Sequence, residues 1–497
     1  MASTGAFFRL VGAGWTLVRH DALLPRELDG FYSPAVRAVG NALRIFASRR
    51  DGRPGERMAR ALEGLGPVAI KLGQLLSTRG DIFGRTFAED LSRLKDKLPP
   101  FPTAQARAVV AAELGRPVDE VFAAFGDPVA AASLAQAHDA MLGDGARVAV
   151  KVLRPGIERR VAADSAVLDL AARLIQRLAP PLRRLEPVQF ATTVIRATAL
   201  ELDLRLEAAG ADELAEVMAR DGYMSAPKVV WDGVGRRVLT MAWAEGMPLS
   251  DPAALEQPGL DRKALADNLT RAFLAQALDH GVFHADLHEG NLFAAAPARM
   301  SAVDFGIIGR LGPVERRYLA EILWGFLQRD YPRVAKVHFD AGYVPSHHSV
   351  AAFAQALRAV GEPVFGRAAS TIAMSRVLTQ LFEITALYDM HLRPELVLLQ
   401  KTMMTVEGVA RRIDPDHDIW AASEPVVRRW IARELSPATR VRQFAGEAEA
   451  ALRNLARLTE SRPVAVVAPV RHDGARLLWF ALGALAAGAA FLIGTLF

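Results

Sequence analysis

Cysteine is absent from all 497 residues, which excludes disulfides, iron–sulfur clusters and thiolate zinc sites, so any metal would rest on oxygen or imidazole. An excess of one charge is lacking as well. Sixty basic residues stand against 55 acidic ones, a formal net charge of +5 with no concentrated basic run, and the expectation is that nucleic acid is not a partner. No G-x-G-x-x-G follows any strand-like segment, which argues against a nicotinamide or flavin enzyme. Tandem repeats are missing. Residues 1–18 lack the cleavage pattern of a secretory signal, and their apolar stretch is too short to span a bilayer, so they read as an amphipathic or packing helix.

What is present is the profile of an ordered globular chain, 51% apolar and 23% charged. One long uncharged run stands out: residues 477–497 read LLWFALGALAAGAAFLIGTLF, with Thr495 their most polar side chain. At about 1.5 Å per residue a helix of this length reaches about 30 Å, the thickness of a hydrocarbon core, so a spanning helix is expected. Gly483, Ala484, Ala487, Gly488 and Ala490 would give it a close-packing face for a homodimer. Arg471 and Arg476 precede it, and the positive-inside rule then places the rest of the chain on the cytoplasmic side of an inner membrane, held by a C-terminal single-pass anchor.

Composition shifts divide the chain into a helical N-terminal region over 1–125, a mixed segment over 126–245, a helix-rich segment over 246–455, a linker over 456–476 and the apolar end. In the mixed segment the small-residue run AAASLAQAH leads to a turn at Gly143–Gly145 and the strand-like RVAVKVL. Helices are expected over 157–178 and over about 188–220, and paired strands over 228–243.

Chemistry concentrates in FHADLHEGNLF and the following VDFG. Asp286 stands five residues before Asn291, and Asp304 stands thirteen after it in an Asp-Phe-Gly triplet. This is the order of a phosphoryl-transfer catalytic loop and its metal loop, where hard Mg²⁺ is met by amide and carboxylate oxygen. Lys151, the one charge in VAVKVL, stands where a phosphate-binding lysine would. Glu201, Asp203 and Glu207 in ELDLRLEAA offer its acidic partner, and the expectation is that Asp203 and Glu207 share a helix face. His284 and His288 bracket Asp286 but lack a third ligand, and a loop-structuring role fits them better than a metal site.

Three features take the resemblance beyond kinases at large. They are KLGQ (Lys71, Leu72, Gly73, Gln74), the alanine-rich loop in place of a glycine-rich one, and Glu201-x-Asp203 with Glu207 six residues after Glu201. On these motifs the chain resembles the UbiB family of atypical kinase-like proteins over nearly its whole length. The resemblance implies an α+β, bilobal protein-kinase-like fold with a helical extension over 1–125, an N-lobe over 126–245 and a C-lobe over 246–455, beside the C-terminal transmembrane helix. It implies that the K-x-G-Q helix lies over the nucleotide pocket, with Lys71 and Gln74 entering it and Glu201 and Asp203 holding that helix. Glu207 would pair with Lys151. Val129, Ala130, Ala131, Ala132, Ser133, Leu134, Ala135, Gln136 and Ala137 would cover the phosphates. Asp286 would be the acid–base residue, and Asn291 and Asp304 would bind Mg²⁺. The implied cofactors are ATP or ADP with Mg²⁺. The implied role is an ATPase or phosphotransferase of ubiquinone biosynthesis, with membrane lipids, polyprenyl-phenol quinone precursors and other quinone-biosynthesis enzymes as partners. A protein kinase acting in trans and a nucleotide-regulated lipid-binding scaffold stand as alternatives. The sequence departs from the family at Ala135, where many relatives carry glycine, at Gly210, where asparagine often follows the E-A-A triplet, and at Ala242, where the hinge lacks an acidic residue.

Overall fold

Alternation in RVAVKVL settles the orientation of the first sheet. In the computed structural model, which describes residues 2–24, 34–48, 51–77, 84–92, 94, 99–178, 183, 186–362, 384, 387–390 and 394–434, four antiparallel strands run in the order β1-β2-β3-β4. They are β1 Phe122–Ala131, β2 Ala135–Leu142, β3 Arg147–Leu153 and β4 Val238–Ala242. Val148, Val150 and Val152 of β3 point to one face and join Phe101, Ala106, Val109 and Val110 in a buried cluster. Ala149, Lys151 and Leu153 fall on the other face, because side chains alternate along a strand. The sheet starts before residue 126, and a helix of the N-terminal region closes its outer side.

The N-terminal region supplies α1 Ala2–Arg19, α2 Pro34–Leu43, α3 Pro54–Leu65, α4 Pro67–Leu76, α5 Arg85–Ser92 and α6 Thr103–Leu114. Helix α4 starts on Pro67, whose fixed φ suits a first turn, after Gly66 at φ 109°. Ala59 and Leu62 of α3, Phe87 and Leu91 of α5, and Leu94 form a separate small core under it.

After β3 come α7 Ile157–Leu178, α8 Pro187–Leu200 and α9 Leu204–Asp221. The single helix expected over 188–220 is thus two. Asp203 leaves the helical region at φ −122°, ψ 91°, and its carboxylate accepts from the Arg205 amide at 3.2 Å, which ends one helix and caps the next. The segment 228–243 is strand only at its end: Trp231–Gly233 is a 3-10 turn, and Val229 makes one bridge to Met241 before β4.

The second lobe holds α10 Arg262–Ala275, the hairpin β7 Leu292–Ala295 and β8 Arg299–Ala302 with β5 Met247–Pro248 beside it, and the pair β6 Val282–His284 with β9 Ile308–Arg310. Helices α11 Pro313–Leu327, α12 Tyr331–Asp340, α13 Val350–Gly361, α14 Pro394–Ile413 and α15 Ile419–Glu434 complete it. The main core runs from Leu153, Leu239 and Met241 of the sheet through Ala208, Ala211 and Leu214 of α9 to Phe273, Phe283, Leu292 and Phe305. It therefore passes directly behind the cleft between the lobes.

The spanning helix requires correction. Among the described residues no helix is long and apolar enough to cross a membrane. Those of eighteen residues or more are amphipathic and charged: α7 carries Glu158, Arg159, Arg160, Asp164 and Asp169 along its length. Residues 477–497, and the linker before them, lie outside the described residues. The anchor, the inner-membrane placement and the dimer built on that helix are set aside with it. Of the two units into which the chain divides, Met1–Ala432 and Arg433–Phe497, the second contributes only Arg433 and Glu434 to the described residues.

Candidate active site

A hairpin explains how Asn291 and Asp304 meet. Leu292 pairs with Ala302 at the open end of the β7–β8 ladder, and the Val303 amide donates to the Asn291 carbonyl at 2.9 Å, so Asn291 and Asp304 leave the same end of the same hairpin. The thirteen-residue spacing is the length of that hairpin. On the other flank β6 pairs with β9, and the Ala285 amide donates to the Ile307 carbonyl at 3.0 Å, which brings the segment around Asp286 beside the Asp-Phe-Gly turn.

His284 locks the two loops together. Its Nδ1 accepts from the Asp286 amide at 3.1 Å, so the ring proton sits on Nε2 and is donated to the Val303 carbonyl at 3.2 Å. Burial holds this imidazole below its ordinary range, which keeps it neutral and in that tautomer. His288 accepts from the Gly290 amide through Nδ1 at 3.0 Å and places Nε2 3.7 Å from the Asp286 carboxylate. Both imidazoles thus shape the loop. Asn291 donates through Nδ2 to the Asp286 carbonyl at 3.1 Å, which leaves its side-chain oxygen without a protein partner among the described residues. Thr402 of α14, which sequence reasoning missed, donates its buried hydroxyl to the Ala285 carbonyl at 3.0 Å and supports the loop from beneath.

Lys151 faces this assembly from β3. Its Nζ lies 2.6 Å from Glu207 Oε1 and 3.2 Å from Asp304 Oδ1, a bridge across the cleft between residues 153 positions apart. Burial works against the ammonium, yet the carboxylates of Asp304 and Glu207 outweigh it and hold Lys151 above the usual lysine range. Burial pushes Glu207 up to about 7, with Asp304 adding to the shift and Lys151 opposing it. Lys151 holds Asp304 down at about 2 against a smaller effect of burial, so its carboxylate is charged at neutral pH. The Asp304 side chain remains 51% exposed, open to the cleft, whereas Glu207 is 9% exposed. Asp304 sits at φ 61°, left-handed backbone that an aspartate tolerates better than most residues.

The acidic cluster does not act as one face. Asp203 caps α9 and forms a bidentate pair with Arg205, at 2.6 and 2.8 Å, and that guanidinium holds its carboxyl below the ordinary range. Glu201, at the end of α8, pairs with Lys71 of the K-x-G-Q helix. Of the two residues expected to hold that helix, only Glu201 makes the bond; Asp203 is committed to the start of α9. The Gln74 side chain is half-buried and has no hydrogen-bond partner among the described residues. Gly73 has a packing reason: a Cβ there would run into Leu94 Cδ1 and come within 2.8 Å of Leu62 Cδ1. Gly73→Ala should therefore cost about 1–2 kcal/mol, the overpacking of roughly 1–3 kcal/mol being offset by up to about 1 kcal/mol of helix propensity; denaturant unfolding checks it. Gly210 is similar, since a Cβ at that point on α9 would strike Ile308 of β9. A small residue there lets the helix that carries Glu207 lie against the strand that follows Asp304.

The alanine-rich segment divides by face. Val129, Ala130 and Ala131 end β1; Ala132, Ser133 and Leu134 make the turn, closed by the Ala132 amide donating to the Ala135 carbonyl at 2.8 Å. Ala137 is the register partner of Lys151 and Ala135 of Leu153, which puts both on the cleft face. Gln136 is on the opposite face, opposite Val152. Its amide brackets the Phe101 backbone, accepting at 2.8 Å and donating at 3.0 Å, and also reaches His138 at 2.8 Å. Gln136 therefore ties the N-terminal region to the sheet and leaves the set expected to cover phosphates. Arg154, which sequence reasoning passed over, fixes the turn by donating from Nε to the Ala132 carbonyl at 2.9 Å. Ala149 and Met241, partners in register, give the cleft an apolar wall.

Comparison with known proteins agrees with this geometry. Residues 93–338 match the ABC1 atypical kinase-like domain and residues 357–418 the UbiB helical domain. The "probable protein kinase UbiB" of Marinobacter nauticus is 40% identical over 388 residues, 77% of this chain and 71% of that protein. The protein of the same name from Azotobacter vinelandii is 37% identical over 475 residues, 93% of this chain and 88% of that one. Among solved structures, the complex of Rv3197 with erythromycin from Mycobacterium tuberculosis superposes with a TM-score of 0.51 at 26% identity, covering 79% of this chain and 97% of that one.

Proposed function

The chain belongs to the UbiB family of ABC1 atypical kinase-like proteins, and on that premise we propose that its cleft binds an adenine nucleotide with Mg²⁺ and activates the terminal phosphoryl group in support of ubiquinone biosynthesis. The observation that carries this reading is the meeting of Lys151, Glu207 and Asp304 on one cleft, with Asn291 at the same end of the hairpin as Asp304.

The donor set suits a hard cation. Asp304 offers a charged carboxylate to the cleft, Asn291 offers an amide oxygen at the same hairpin end, and no sulfur competes. Magnesium, when bound, neutralises charge between the β- and γ-phosphates. Lys151 supplies a permanent positive charge for phosphate oxygens, and Glu207 keeps it aimed across the cleft. Ala149 and Met241 accept the flat face of a base, while hinge backbone groups meet its edge. Asp286 takes the proton of the attacking O–H group as the new oxygen–phosphorus bond forms and the bond to the bridging β-phosphate oxygen breaks.

The acceptor follows from the K-x-G-Q helix. Held by the Lys71–Glu201 pair and covering the cleft as the family resemblance implies, it disfavours an extended peptide and favours water or a small phenolic quinone precursor, with membrane lipids and other quinone-biosynthesis enzymes as partners. The test is nucleotide hydrolysis by the full chain with and without lipid vesicles and small phenolic analogues. Stimulation supports the reading. Transfer of phosphate to protein substrates, with hydrolysis indifferent to phenols, would favour a kinase acting in trans, and nucleotide binding without turnover would favour a scaffold.

A further inference from the structure

Far along the sequence from the residues of the cleft, a turn before α13 meets residues 387–390. The His348 amide donates to the Pro345 carbonyl at 3.2 Å, and this tight turn sets the adjacent imidazoles of His347 and His348 side by side, ring centres 4.1 Å apart. Neighbouring side chains on an extended strand would point to opposite faces. Both rings direct Nε2 at one oxygen: Asp389 Oδ2 lies 3.8 Å from His347 and 3.2 Å from His348. One ligand atom from each of the three residues lies within 4.8 Å of the others.

We propose that His347, His348 and Asp389 form a binding site for a borderline divalent transition-metal ion of the zinc class. Ligands about 2.0–2.1 Å from a tetrahedral ion stand about 3.3 Å from each other. The two imidazole–carboxylate spacings of 3.2 and 3.8 Å bracket that value and the third lies within 4.8 Å, so side-chain adjustments bring the three ligands onto one cation. Two imidazoles and a carboxylate favour Zn²⁺, Co²⁺, Ni²⁺ or Cu²⁺ over Mg²⁺ and Ca²⁺, and a chain without cysteine holds no thiolate to compete.

The site is braced on one side and open on the other. His348 packs on the Tyr388 ring at 5.2 Å, and Tyr388 packs on Phe353 of α13 at 4.9 Å within a buried cluster. Ser349 caps α13 immediately after the two histidines, accepting from the Ala352 amide at 3.3 Å. Asp389 sits at φ 47°, backbone that presents its carboxylate to the turn. His347 and Asp389 remain two-thirds exposed, which leaves coordination positions for water or a further ligand. A bound ion would clip a turn that precedes the region matching the UbiB helical domain to a segment 41 residues on and inside that region, and would stabilise them by mass action.

The full chain, stripped with a chelator and titrated with Co²⁺, tests this through the visible absorption of the ion and, with Zn²⁺, through the unfolding temperature. One equivalent should bind, with excess Mg²⁺ unable to displace it. Asp389→Asn keeps a side chain tolerant of left-handed backbone and, like His347→Ala at an exposed position, should weaken binding by at least about 100-fold. Asp304→Asn should leave it unchanged. Absence of stoichiometric Co²⁺ binding, or binding by both site variants with the affinity of the unaltered chain, overturns the assignment.

Discussion

Asp304→Asn is expected to weaken Mg²⁺-dependent nucleotide binding by on the order of 100-fold, the equivalent of the several kcal/mol that a metal contributes at a charged site. The fold should survive. Asp304 occupies left-handed backbone at φ 61°, which asparagine adopts as readily, and its side chain is half exposed. The substitution removes the charge that Lys151 now balances and one of the two oxygen donors at the hairpin end. Lys151 keeps its bond to Glu207, so the cleft retains one ion pair. Titration of a fluorescent nucleotide with and without Mg²⁺ reads the effect; equal Mg²⁺ dependence in the variant would remove Asp304 from the metal site.

Asp286→Asn should separate binding from chemistry. The Asp286 main chain carries the structure of its loop, donating to His284 and accepting from Asn291, whereas among the described residues its side chain forms an ion pair with His288 alone, at 3.7 Å. Replacing the carboxylate should leave nucleotide affinity within about threefold while hydrolysis falls by roughly 10²–10⁴, the usual contribution of a positioned acid–base group. A parallel loss of affinity would indicate that the side chain holds the nucleotide instead.

Much of this site could be read from the sequence because its pieces are local. The alternation of RVAVKVL fixes which face Lys151 occupies, and the spacing from Asn291 to Asp304 is the length of one hairpin, so few long-range facts are needed. The helix over 157–178 follows from its apolar period in the same way. Features that depend on distant partners were harder. Gln136 sits within a run of small residues, and only the strand register turns it toward Phe101 and away from the cleft. ELDLRLEAA has good helical periodicity throughout, but the Asp203 carboxylate competes for the Arg205 amide and starts a second helix. Arg154 and Thr402 act by bonding to main-chain carbonyls of loops, a role that leaves no pattern in spacing or composition. Hydropathy alone suggested a membrane anchor, and the described helices, amphipathic and charged, contain none.

The most direct measurement is anomalous diffraction from a crystal of the full chain grown with Mn²⁺ and a non-hydrolysable ATP analogue. A manganese peak in coordination with Asp304 and the Asn291 side-chain oxygen, with nucleotide phosphates within reach of Lys151, is the predicted result. Nucleotide bound elsewhere, with Lys151, Glu207 and Asp304 still closed on one another and no metal beside them, would contradict it.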